Sequence, residues 1–417
     1  MQKTLTSALL AAVATIAACG GGTITDTASP ARTLPATSEP AGNVELGMAS
    51  APGEAATMQA VAPFAYRYQY LTGPADSGWA IWAPDGAFVT HYIDESAAVM
   101  MTPVFSYYVL LQSSPEGNSD EDRQARALND ETIMRTYFDT LRLFFERAGE
   151  RPAQEVILHI EPDLWGFVQR VKGADPTAQH VQLPSGDPLF RGLPDSLTGF
   201  AQAIARLRDE FAPNVQLAFH ASTWAPGRDF VYDDPPDASV VDWTTETVQF
   251  YKGLGVDFDF VFAEFSDRDA GFKQFEYGDG GASWFNEDDF RRHLLFVKTL
   301  HEGTGGPVIL WQIPFGNTQM RAVDNTWNHY QDNRVEWLLD NPGQQHLRDY
   351  AGAGVVALLF GRGADGATDA SDAAGDGIRD PEPINGNGRA SLSADDDGGL
   401  FAELARRYYA DGPVPIR

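Results

Sequence analysis

The stretch Val156-Ile157-Leu158-His159-Ile160-Glu161-Pro162-Asp163-Leu164 decides the fold. Its first five residues show no alternation of polar and apolar side chains, so a strand here is buried on both faces. Such a strand belongs to a parallel sheet covered by helices. Before it, 127–149 carries Ile133, Tyr137, Leu141, Phe144 and Phe145 along one helical face, with Gly149 as a stop. Earlier still, predicted strands at 66–71 and 102–110 flank a predicted helix at 86–100. Beyond it, predicted strands at 215–220, 258–263, 308–313 and 355–360 alternate with predicted helices at 195–211, 244–254, 286–300, 332–350 and 400–409. Repeated strand–helix units without a glycine-rich phosphate turn after the first strand, where Thr72-Gly73-Pro74 stands, favour closure over an open nucleotide-binding sheet. The expected fold is α/β: a single (β/α) TIM-like barrel of seven or eight parallel strands.

Barrels of this kind place their chemistry at the carboxyl ends of the strands. That rule collects Tyr107, Glu161, Asp163, Trp165, His220, Trp224, Glu264, Asp267, Trp311, Gln312 and Arg362 on one rim. Two carboxyl groups suffice for glycoside hydrolysis, one protonating the leaving oxygen and the other serving as nucleophile or base. Glu264 with one of Glu161 or Asp163 is the expected catalytic pair, and which is the acid stays open. The acid needs a raised pKa, which burial against Trp165 or Phe265 would supply. Tyr107, Trp165, His220, Trp224, Asp267, Trp311 and Gln312 are the substrate-binding candidates, since aromatic faces stack on sugar rings and polar side chains bind hydroxyls. Each acid has a plainer role open to it, capping a helix or pairing with Arg268.

The run Glu161-Pro162-Asp163 at the end of the third predicted strand resembles the strand end of the glycoside hydrolase family 6 cellulases. The resemblance implies a distorted barrel of seven parallel strands and places Asp163 near the scissile bond. It covers about forty residues. That family's proton donor follows the preceding strand within an Asp-Arg-Asp-Cys run, where this chain has Tyr107-Tyr108-Val109-Leu110-Leu111-Gln112-Ser113-Ser114. Asp267-Arg268-Asp269 matches part of that run but follows the fifth predicted strand.

The single cysteine, Cys19, follows a lysine, an apolar run and Ala17-Ala18. This start resembles a bacterial lipoprotein signal with a lipobox. It implies a signal peptide over 1–18, lipidation of Cys19, a flexible Gly/Ala/Ser/Pro spacer over 19–62 and a barrel domain over 63–417. The expected location is the bacterial cell envelope, lipid-anchored at the outer membrane or cell surface, with the membrane as a partner through palmitate-type acyl chains.

A formal net charge of −28 repels phosphate backbones, so no nucleic-acid partner is expected. No zinc motif and no Gly-x-Ser-x-Gly nucleophile turn is present. The acidic loop at 363–399 holds Asp365, Asp369, Asp372, Asp376, Asp380, Asp395, Asp396 and Asp397, but their spacing departs from the calcium loop. No metal and no cofactor is expected. The resulting reading is a glycoside hydrolase acting on an extracellular polysaccharide such as a β-glucan. Its alternative is a non-catalytic glycan-binding surface lipoprotein with the same barrel.

Overall fold

The structure, a computed structural model, describes residues 42–416 except 115, 321–327, 362, 364–366, 374, 376 and 378–394. Eight strands form a closed barrel in chain order: β1 Glu45–Ala49, β2 Tyr66–Thr72, β3 Thr102–Tyr108, β4 Val156–Ile160, β5 Val215–Ala221, β6 Phe260–Glu264, β7 Val308–Ile313 and β8 Val355–Phe360. Every neighbouring pair is parallel, and β8 closes onto β1. The expected α/β barrel therefore forms, with eight strands where the cellulase resemblance implied seven.

Alternation along each strand sorts side chains between two layers. Tyr68, Val104, Ile157, Ala218, Phe262, Ile309, Trp311 and Leu359 fill the interior of the barrel. Their neighbours in sequence, among them Phe105, Leu158, Phe219, Val261, Leu310 and Leu358, face outward into the larger core under the helices. Full burial of each such side chain contributes roughly 1.5–3 kcal/mol, so the outer layer holds the helical shell in place.

The barrel begins earlier than the sequence pattern suggests. β1 and the helix Ala55–Val61 lie within the stretch expected as spacer over 19–62, so the spacer reading fails for 42–62. Glu45-Leu46-Gly47-Met48-Ala49 lacks β-branched residues and gives no strand signal. Gly47 is required there, because a Cβ would lie 2.7 Å from both Leu359 Cδ2 and Tyr66 Cβ. Buried Arg67 then ties the entry segment down, donating to Ser50 Oγ at 2.9 Å and the Ala51 carbonyl at 2.7 Å and pairing with Glu95 at 3.1 Å. The signal and lipobox calls at 1–18 and Cys19 lie outside the described residues, as does Arg362.

A second difference shapes the site. A helix, Pro162–Lys172, starts directly after β4, with Pro162 in its first turn. Gly166 weakens the helical pattern in sequence, yet a Cβ there would meet the Trp224 ring at 2.7 Å, so the packing demands glycine.

Candidate active site

The carboxyl ends of the strands surround a cleft of about 480 Å3. Strand parity explains most of its lining. Tyr70 on β2, Tyr108 on β3, Glu264 on β6 and Trp311 on β7 are inward positions at strand ends, and all four line the cleft. The structure also brings Asp163, Trp224, Asp267 and Gln312 there. Gln312 arrives by a break in the pattern: its φ is +53°, within an irregular pairing of β7 with β8. Its amide donates to Tyr70 Oη. Gly363 closes over it, since a Cβ would stand 2.5 Å from Gln312 Nε2.

Four expected site residues do not line the cleft, and three of them, Glu161, Tyr107 and Trp165, are turned out of the barrel. Glu161 would point inward by parity, but its φ of +42° turns the side chain out of the barrel. There it is fully buried and accepts from the backbone N–H of Val109 at 3.0 Å and of Leu110 at 3.2 Å. It pins the segment after β3, and it does not line the cleft. Burial pushes its carboxyl up to about 8, against the pull of those two N–H groups. Tyr107 faces outward, with its hydroxyl 2.9 Å from Thr140 Oγ1; its neighbour Tyr108 takes the inward position. Trp165 lies beneath the helical shell, donating to the Ile160 carbonyl at 2.8 Å and packing on Phe200, Phe219 and Phe258.

His220 points inward but lies below the cleft, 1 % exposed, with Nε2 3.9 Å from Glu264 Oε2. Trp311 is 3 % exposed and forms the floor, edge-on to His159 and His220, while Trp224 is half-buried and forms a wall against Phe167.

The acids in the cleft are in unlike states. Burial raises the Asp163 carboxyl, and the nearby Glu264 charge adds to this; a hydrogen bond from Tyr108 Oη to Oδ2 at 2.7 Å opposes it. Burial would also raise Asp267, yet Lys273 Nζ at 2.9 Å and the adjoining Arg268 guanidinium outweigh it and hold the group below the usual carboxylate range. Asp267 is thereby kept as a structural anion. Burial pushes Asp229 up to about 6, opposed by the Val231 N–H it accepts at 3.0 Å as cap of the short helix Phe230–Asp233.

Tyr108, at the end of the second predicted strand beside Tyr107, lines the cleft, as do Tyr70, Asp120, Asp229 and Lys273, which the strand-end rule does not single out. Tyr70 follows from strand parity, two residues on from inward-facing Tyr68. Asp120, Asp229 and Lys273 come from loops and short helices beyond the strands, where no period marks direction. Asp120 is the carboxylate that the segment after β3 contributes; it is half exposed and paired with Arg123 at 3.0 Å.

Among the described residues, no group of three or more His, Cys, Asp or Glu is placed to hold a metal ion, and no helix is long and apolar enough to cross a membrane.

No protein-family model and no curated protein sequence matches the chain. Solved structures similar to it include glycoside hydrolases with barrel folds. A β-glucosidase from Thermotoga maritima has 12% identity and a TM-score of 0.43 over 85% of each chain. A family 6 enzyme from Orpinomyces sp. Y102 has 13% identity and a TM-score of 0.36 over 82% of this chain and 85% of that one. The family 53 catalytic domain from Ignisphaera aggregans has 9% identity and a TM-score of 0.39 over 72% and 74%. At such identities the likeness concerns the fold.

Proposed function

We propose that this protein is a glycoside hydrolase that cleaves an extracellular polysaccharide, such as a β-glucan, with Asp163 and Glu264 as its two carboxyl groups. The observation that carries the reading is their placement in one cleft: Asp163, raised by burial, fits the acid, and Glu264 ends β6, two strands on from β4. Trp224 supplies a partly exposed aromatic wall, and the amide of Gln312 and the hydroxyls of Tyr70 and Tyr108 suit sugar hydroxyls. Glu161 has no part in this reading. The lipid anchor at Cys19 would hold the enzyme at the cell envelope, within reach of polymer outside the cell.

The test is a screen of the purified protein against a panel of β-linked and α-linked polysaccharides, with binding and released sugar measured together. Release of sugar that disappears in Asp163→Asn supports the reading. Binding without release from any polymer, unaffected by Asp163→Asn and Glu264→Gln, would replace it with a glycan-binding role.

A further inference from the structure

Beneath the cleft, three polar side chains run in a line through the otherwise apolar barrel interior. Ser106 Oγ lies 3.2 Å from His159 Nδ1, and His159 Nε2 lies 3.0 Å from His220 Nδ1. All three residues are buried, at 0 %, 0 % and 1 % exposure. The line ends at His220 Nε2, which has no hydrogen-bond partner among the described residues and faces Glu264 Oε2 at 3.9 Å. A buried polar atom without a partner carries a cost of about 1–3 kcal/mol, so its position calls for a reason.

Two neutral arrangements satisfy the bonds within the line. In the first, Ser106 donates to His159 Nδ1, His159 Nε2–H donates to His220 Nδ1, and the free proton of His220 sits on Nε2. In the second, every donor is reversed and His220 presents a bare lone pair to Glu264. Two electron-rich atoms then face each other 3.9 Å apart, an arrangement that a carboxylate at Glu264 disfavours. The carboxylate therefore selects the first arrangement. The histidine rings are themselves held: His159 stacks on Phe262 with centroids 4.2 Å apart, and Trp311 stands edge-on to both rings. Burial and the adjoining His220 drive the His159 pKa well below its ordinary value, so that ring stays neutral and serves as a relay of orientation.

We propose that Ser106, His159 and His220 form a tautomer lock that keeps a proton on His220 Nε2 facing Glu264, making His220 a positioning residue for that carboxylate. In this arrangement His220 Nε2–H faces Glu264 Oε2 from beneath, across 3.9 Å. The N–H aimed at Oε2 sets which carboxylate oxygen faces the substrate. The inference rests on the catalytic reading of Glu264 proposed above.

The test uses the full chain labelled with ¹⁵N-histidine, its ring signals assigned with His159→Gln and His220→Gln. Long-range ¹H–¹⁵N spectra are expected to show both rings neutral, with protonated Nε2 and unprotonated Nδ1. A bare Nε2 on His220, or a cationic ring, overturns the lock whatever the variants do. Kinetics on a polysaccharide that the enzyme cleaves then give the consequence. His220→Gln and His159→Gln are expected to lower kcat by roughly 10-fold to 100-fold, the worth of one hydrogen bond to a charged group, with KM changed little. A change in KM alone would contradict positioning. The two claims fail separately: full activity in Glu264→Gln removes the catalytic reading and leaves the spectra to decide the lock. The wrong tautomer beside an inactive Glu264→Gln removes only the lock.

Discussion

Tyr108 and Asp163 are joined across the mouth of the barrel, the phenol donating to Oδ2 at 2.7 Å. A donor to a carboxylate favours its ionised form, so Tyr108 restrains the rise that burial imposes on Asp163. Tyr108→Phe removes that restraint and raises the Asp163 pKa further. With Asp163 as the acid, the alkaline limb of the kcat/KM profile is expected to move upward by roughly 1–2 pH units. A pH–rate series on the variant checks this, and a limb that moves downward contradicts the assignment.

Trp224 is the partly exposed aromatic wall of the cleft, held by Phe167 and by the close approach of Gly166. Trp224→Ala is expected to raise KM about tenfold, the equivalent of about 1.4 kcal/mol of lost stacking, with kcat changed less. Initial rates over a range of polymer concentrations separate the two. An unchanged KM would take Trp224 out of the binding surface.

Three buried acids tie loops together away from the cleft, and burial raises all of them: Glu161 to about 8, Asp269 to about 7 and Asp397 to about 7. A group raised on folding stabilises the fold most below its unfolded value, and that contribution is lost as pH climbs through the folded value. The unfolded values are 4.5 for the glutamate and 3.8 for the aspartates. These groups therefore make the fold less stable from about pH 4 to 8. Urea unfolding midpoints are expected to fall over that window in the wild type and to fall less steeply in Glu161→Gln. A wild-type midpoint that falls no more steeply than that of Glu161→Gln would contradict the raised Glu161 carboxyl.

Much of the barrel was legible because strands buried on both faces leave continuous apolar runs, as Val156-Ile157-Leu158-His159-Ile160 does. β1 was not legible, since Gly47 and its neighbours are chosen by close packing against Leu359 and Tyr66. For the site, the rule of strand ends led to Asp163, Glu264, Trp224, Trp311 and Gln312, all of which line the cleft. It misled at Glu161, where one left-handed residue reverses a side chain that parity sends inward. It misled at Tyr107 because two tyrosines stand side by side and only register tells them apart. Trp165 stands where the strand-end rule expects a rim residue, but the helix Pro162–Lys172 starts without any loop after β4 and carries it under the shell.

The address proposed from Cys19 has its own test. Expressed in a bacterium that processes lipoproteins, the full chain is expected in the membrane fraction with an acylated Cys19 at its mature N-terminus. Cys19→Ser is expected to shift it to the soluble fraction. Mass spectrometry of the terminal peptide checks the modification, and an unmodified cysteine would contradict the anchor.

The division of roles between two acids only two residues apart is tested most directly by turnover of one polysaccharide by Asp163→Asn, Glu264→Gln and Glu161→Gln beside the wild type. Asp163→Asn and Glu264→Gln are expected to lose roughly 10²-fold to 10⁴-fold in kcat, while Glu161→Gln, folded by its thermal unfolding curve, stays within about tenfold, since its carboxyl bonds Val109 and Leu110 outside the cleft. Wild-type turnover in Asp163→Asn or Glu264→Gln, or loss of turnover in a folded Glu161→Gln equal to theirs, would contradict it.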